Sequence, residues 1–156
     1  MNLNDYIIDH SDFDWPQLLE FWGWLLPDKF TVWTMNRIGD LFIITNDGAV
    51  HMLDVGAGSL KEIAQNKDEL CNKMNEPQFA ADKLMMPLVN SLVASGLVLS
   101  KGECYSYKFL PIFGGAYEID NFVIKTVAYH FAAFGPMHEK IKDQPDGSRI
   151  TFKVVN

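Results

Sequence analysis

Leu41-Phe42-Ile43-Ile44-Thr45-Asn46-Asp47-Gly48-Ala49-Val50-His51-Met52-Leu53-Asp54-Val55 is the stretch that decides the fold of this 156-residue chain. Two apolar, β-branched runs flank Asn46-Asp47-Gly48, and the turn they need has positive φ at a residue where glycine is unstrained. The segment therefore reads as a hairpin. Immediately before it, Phe30 to Met35 alternates with β-branched residues, so the region 30–55 is expected to be a meander of three antiparallel strands.

Moving toward the C-terminus, Gly56-Ala57-Gly58 is a tight turn. Ser59-Leu60-Lys61-Glu62 has the form of a capping box, which predicts a short helix through Gln65. Lys67 to Asn75 is polar and fits either helix or loop. A longer helix is expected from about Pro77 to Ser95, kinked or broken at Pro87 and ended by Gly96. Cys104 to Leu110 and Phe122 to Val127 read as strands, with an irregular turn at Pro111 to Gly115. Tyr129 to Lys142 reads as a helix interrupted at Gly135-Pro136, and Asp146-Gly147 turns into a closing strand, Arg149 to Val155.

Toward the N-terminus, Ser11-Asp12-Phe13-Asp14 offers helix caps, and Pro16 suits a first helical turn. One short, very apolar helix is expected to run on to Pro27, its aromatic side facing either core or partner. The first ten residues carry no assignable pattern. No repeat, low-complexity tract or linker divides the chain. The expectation is a single α+β domain over 1–156, mainly antiparallel sheet packed by several helices.

Composition narrows the function. Apolar residues make up 48% and charged residues 21%, the profile of a compact protein rather than a disordered, collagen-like or disulfide-framed one. Twenty acids against thirteen bases give a net charge of −7, and residues 1–60 hold nine acids against two bases. A field of that sign repels nucleic acid and attracts basic partners. No apolar run approaches the roughly 20 residues of a membrane span, and the polar, acidic start does not resemble a secretory leader. Cytoplasmic residence is the expectation. Cys71 and Cys104 lie in unrelated contexts and are expected to be buried free thiols, with a disulfide between them as the alternative.

Reactive constellations fail one by one. Gly56-x-Gly58 sits between an expected strand and an expected helix, the context of a phosphate-binding turn, yet it lacks the third glycine and any following Gly-Lys-Ser/Thr. His138-Glu139 begins like a zinc-protease helix, but Lys142 stands where the second histidine belongs. His10, His51 and His130 have no ligand spacing, so no metal or cofactor is expected. Asp47 is turn chemistry, and Asp40 and Asp54 fall near strand ends, where a solvated or partner-facing role is expected. No Gly-x-Ser-x-Gly elbow occurs, and Cys104 has no basic neighbour. The aromatics Trp15, Phe21, Trp22 and Trp24 are interleaved with acids, the wrong sign for a phosphate chain. Aromatic anchors with an acidic flank are what a protein-binding surface uses.

Two sets of residues also carry a resemblance. The first is Trp24-Leu25-Leu26-Pro27, Gly39-Asp40-Leu41-Phe42, Asp47-Gly48-Ala49-Val50 and Leu53-Asp54. The second is Cys104-Tyr105-x-Tyr107-Lys108 with Pro111, Gly114-Gly115-x-Tyr117, Asn121, His130 and His138-Glu139-x-Ile141-Lys142-Asp143. In this order and spacing the chain resembles the C-terminal domain family of type VI secretion immunity proteins, best known from antidotes to a DNase effector. The resemblance runs over about 20–150, leaving 1–19 as an N-terminal extension. It implies a cytoplasmic, non-enzymatic protein that binds a cognate toxin and blocks it. Family members often carry a preceding domain, of which a full copy is not expected here.

An acidic antidote suits a nuclease, whose DNA groove must be basic. The expected contact surface is Asp5, Asp9, Asp12, Asp14 and Asp28 with Trp15 or Trp22. The rival reading is a small regulatory or ligand-binding module, its ligand held by Gly56, Gly58 and Ser59 or by Gly114, Gly115 and Tyr117. The last three residues also read as structural, a turn that a Cβ would forbid with Tyr117 packed beside it.

Overall fold

A computed structural model describes residues 2–145. The expected closing strand and the Asp146-Gly147 turn lie outside the described residues. The hairpin forms as its turn chemistry requires: β2 (Leu41–Thr45) and β3 (Val50–Asp54) pair antiparallel, with Leu41 opposite Leu53. Gly48 takes φ +88°, while the Asp47 carboxylate accepts from Thr45 Oγ1 and from the Ala49 amide, closing the turn. β1 (Phe30–Met35) pairs with β2, and its register slips between Val32 and Thr34, a bulge at Trp33.

The meander has a fourth strand. Ser59–Ala64, expected as a capped helix, is β4 and pairs with β3 from Asp54↔Ser59 to Val50↔Ala64. Asp54 decides this, because its carboxylate accepts from the Ala57 amide and its carbonyl from the Gly58 amide. That geometry folds the chain back along β3, whose unpaired backbone then forms a ladder with 59–64. The capping-box residues never reach a helical turn. The sheet order is β1-β2-β3-β4.

Leu41, Phe42 and Ile43 are consecutive and all buried, so β2 is covered on both faces. One face meets the main core around Trp22, Met35, Ile38, Tyr105 and Phe131. The other meets a small cluster of Val50, Ala64 and Leu70, the last from α2 (Lys67–Met74). Asn66 caps α2 through the Glu69 amide, which settles the 67–75 ambiguity as helix.

The expected 77–95 helix is broken. α3 (Pro77–Lys83) and α4 (Met86–Ala94) are separated at Leu84-Met85, where Met85 is left-handed at φ 49°, and Pro87 sits in the first turn of α4. Gly96 and Leu97 donate to Val93 and Leu92 carbonyls, ending α4 as the glycine predicts. The N-terminal helix is also shorter than expected. α1 is Trp15–Leu18, followed by a 3₁₀ turn at Glu20–Trp22, so the stretch to Pro27 is not one helix. Full burial of Trp22, its indole donating to the Phe131 carbonyl at 2.9 Å, goes with that break.

β5 (Glu103–Tyr107) and β6 (Phe122–Thr126) form a second, two-stranded sheet, joined by residues 108–121. α5 (Val127–Ile141) follows and runs unbroken through Gly135-Pro136. Pro136 removes one amide donor on an exposed position, while Phe134, His138 and Ile141 stay packed in the interior. That packing outweighs a single missing hydrogen bond. Cys104 is buried as expected, but Cys71 is exposed, and both are free.

Candidate functional site

The N-terminal segment runs beside the edge of β1, bridging Ile7 to Asn36, and then turns into α1. Between this turn and β1 lies a cleft of about 770 Å³, walled by Phe13, Trp15, Leu19, Leu26 and Phe30 with Asp28 at its side. Trp15 is held from two directions. Its Nε1–H points to His10 Nδ1 at 3.4 Å, and His10 Nε2 faces the Trp33 carbonyl at 3.3 Å, which makes His10 the Nε2–H tautomer. The ring also meets Phe13 and Phe131 edge-on.

Of the sequence-predicted contact residues, Trp15 and Asp28 line this one cleft. The remaining acids are exposed, and three of them, Asp9, Asp12 and Asp14, already have local partners. Asp14 caps α1 through the Gln17 amide. Asp12 pairs with Lys101 at 2.6 Å. Asp9 accepts from the Ser11 amide, which holds its carboxyl below the usual range. Asp5 lies in the 3₁₀ turn Leu3–Tyr6. Trp22 does not belong with them: it is wholly enclosed, so no partner can reach its ring.

Gly56, Gly58 and Gly115 are closely packed against neighbouring atoms, whereas Gly114, at φ +91°, has open space where a Cβ would stand. No helix follows Gly56 and Gly58, so there are no helix N-terminal amides to hold a phosphate, and Ser59 is committed to β4. A Cβ on Gly56 would stand 2.7 Å from the Tyr107 hydroxyl. On Gly58 a Cβ would come within van der Waals overlap of the His138 ring. A Cβ on Gly115 would collide with the Phe109 carbonyl, while Tyr117 meets Tyr107 edge-on at 6.2 Å. Those contacts match the structural reading of Gly115 and Tyr117.

The interior holds a polar network that sequence reasoning missed. Asp40, expected in a solvated or partner-facing role, is 2% exposed. Its carboxylate accepts from Asn36 Nδ2 at 3.1 Å and from the Val55 amide at 3.0 Å. Burial, reinforced by nearby Asp54, raises its carboxyl to about 7. His130 is fully buried, with Nε2 on the Gly39 carbonyl and Nδ1 on Ser106 Oγ, and burial lowers it to about 4. His138 Nε2 meets the Val55 carbonyl at 2.7 Å, and burial lowers it too. Burial pushes the Cys104 thiol up, away from thiolate chemistry. Both ring nitrogens of His130 are therefore occupied by structural bonds. No group of three or more His, Cys, Asp or Glu among the described residues is placed to hold a metal. Among those residues, no helix is long and apolar enough to cross a membrane.

The described residues present outward an aromatic cleft beside carboxylates, on an α+β scaffold that holds buried polar bonds inside. Residues 64–138 match the family described as "T6SS immunity protein Tdi1, C-terminal". The match opens at the last residue of β4 and closes within α5, so it covers α2 to β6 and leaves β1 to β3 and the cleft outside it. It bears out the resemblance to the type VI secretion immunity family over a narrower span than the motifs suggest. No curated protein matches the chain.

Proposed function

We propose that this protein is a type VI secretion immunity protein: it binds a cognate effector inside the cell that makes it and blocks that effector's activity without catalysing a reaction. The observation that carries the reading is the family match over 64–138. The effector proposed is a nuclease. Its substrate groove must be basic to hold a phosphodiester chain, and a chain of net charge −7 is attracted to such a groove and steered into it.

The contact surface proposed is the cleft and its acidic surroundings. Trp15 is a pre-positioned aromatic anchor, and Asp5, Asp9, Asp12, Asp14 and Asp28 supply the attracting charge. Binding there would occupy the groove with carboxylates where phosphates would otherwise lie.

The test is capture of the tagged protein's partner from its own source cells at low and moderate salt, followed by expression of that partner with and without this protein. Support consists of a single stoichiometric partner with a basic catalytic domain, toxic alone and harmless when co-expressed. Reversing Asp9, Asp12 and Asp28 to lysine should slow association and weaken protection, most at low salt, where screening is least. A captured partner that is not toxic, or no partner at either salt, would overturn the reading. Full protection by the triple variant would move the surface elsewhere while leaving the immunity role standing.

A further inference from the structure

The loop joining β5 to β6 carries apolar side chains in the wrong place for a core. Phe109 is 69% exposed, Ile112 53%, Phe113 43%, Tyr117 47% and Ile119 39%, five of the ten exposed large apolar residues among those described. Exposure clustered in eleven residues marks a contact surface, whereas single scattered apolar residues do not. The loop is also firmly built. Asn121 donates from Nδ2 to the carbonyls of Phe109 and Ala116 at 2.8 and 2.9 Å, and its Oδ1 accepts from the Phe109 amide at 2.9 Å. The Gly114 and Gly115 amides donate back to Pro111 and Leu110. Its shape is set before any partner arrives, so binding orders little.

Within the crest is a hollow of about 260 Å³ lined by Phe109, Phe113, Glu118 and Asp120 over the glycine backbone. Two aromatic side chains and two carboxylates in one small hollow suit a cation with an apolar stem. Arginine meets the description best, because its planar guanidinium stacks on aromatic faces and accepts carboxylate partners along its edge. Lys108 is the only base between 108 and 121, against these two acids. A second copy of this chain in a two-fold contact would set Glu118 and Asp120 against themselves. An anionic membrane or nucleic acid would meet the same repulsion.

The geometry points to residues 109–121 as a protein-docking surface that receives an arginine side chain of its partner between aromatic and acidic walls, with Ile112, Tyr117 and Ile119 covering apolar surface around it. This surface is separate from the cleft and does not depend on the partner's being a toxin.

The test uses the whole ¹⁵N-labelled chain and the probe acetyl-Leu-Arg-Trp-Arg-Leu-amide, with a counterpart in which neutral citrulline replaces both arginines. Saturable shifts confined to the amides of 109–121 are expected. Binding should fall at least tenfold for the citrulline peptide and for a Glu118→Gln/Asp120→Asn variant, and Phe109→Ser should weaken it without unfolding an exposed position. Equal binding of both peptides, or shifts scattered over the surface, would overturn the proposal. Peptide-free shifts of the same amides that grow with protein concentration would overturn it as well, by making a second copy the occupant.

Discussion

The regions 9–32 and 109–121 are both rich in aromatic and acidic residues, yet they are built in opposite senses. In the first, one of three indoles turns fully inward: Trp22 is enclosed and bonds to α5, and what remains outside is a cleft with Trp15 wedged into it. In the second, the backbone turns inward instead. Asn121 and Gly115 tie the main chain to itself, and Phe109 and Ile112 are left facing outward. Aromatic content alone therefore does not locate a surface. The difference lies in which polar groups find partners inside: the paired indole N–H of Trp22 lets its ring be buried, whereas in 109–121 it is the backbone that is paired, to Asn121 and to itself, and the rings stay outside.

Substitutions can break this contrast, and the interior ring should give the largest effect. Trp22→Ala removes a fully buried indole and its bond to Phe131, and should cost about 4 kcal/mol in denaturant unfolding. Asn121→Ala should cost about 3 kcal/mol, since two Phe109 groups and the Ala116 carbonyl lose their side-chain partner. It should also abolish peptide binding at the crest, which Trp22→Ala in the fraction still folded should not.

The third prediction concerns pH. Folded Asp40 holds its proton to about 7, whereas the unfolded chain releases it near 3.9, so its contribution to stability falls as pH rises through that window. Buried His130 and His138 act oppositely. The unfolded chain protonates them near 6.5 and the folded chain resists, so stability rises with pH up to that point. Between about pH 4.5 and 6.5, Asp40 cancels one histidine. Asp40→Asn should steepen the rise by ~1.4 kcal/mol per pH unit in urea unfolding, and parallel slopes for the two proteins would refute the buried-proton account. At the smallest end, Phe109→Ser should change stability by no more than about 0.5 kcal/mol, because its ring already faces solvent. The Asp9/Asp12/Asp28 reversal should lower the melting temperature only slightly, through loss of the exposed Asp12–Lys101 pair and the Asp9 bond to the Ser11 amide, while altering association.

Much of the scaffold is legible in the sequence wherever neighbours settle the matter among themselves. Asn46-Asp47-Gly48 closes its own hairpin, Gly96 ends α4, Asp14 caps α1, and Pro87 opens a helix after a break. Each rests on hydrogen bonds or backbone angles spanning a few residues. Ser59–Ala64 had a sound local signal for helix, and the edge of β3 overrode it. The same applies to α5, which keeps its course past Pro136 because the opposite side of the helix is packed.

The sites divide along the same line. By itself the sequence determined the sign of the charge, its concentration in residues 1–60, the three-stranded hairpin core, and a resemblance that the match over 64–138 meets. Tertiary structure alone decided that Trp22 is core, that Asp40 is buried against Asn36 and Val55, that both histidines of α5 serve backbone carbonyls, and that 109–121 faces outward. The physical reason is range. A turn or cap is fixed by atoms a few bonds away, but exposure and protonation are set by groups such as Val55 beside His138, 83 positions apart in the chain and 2.7 Å apart in space.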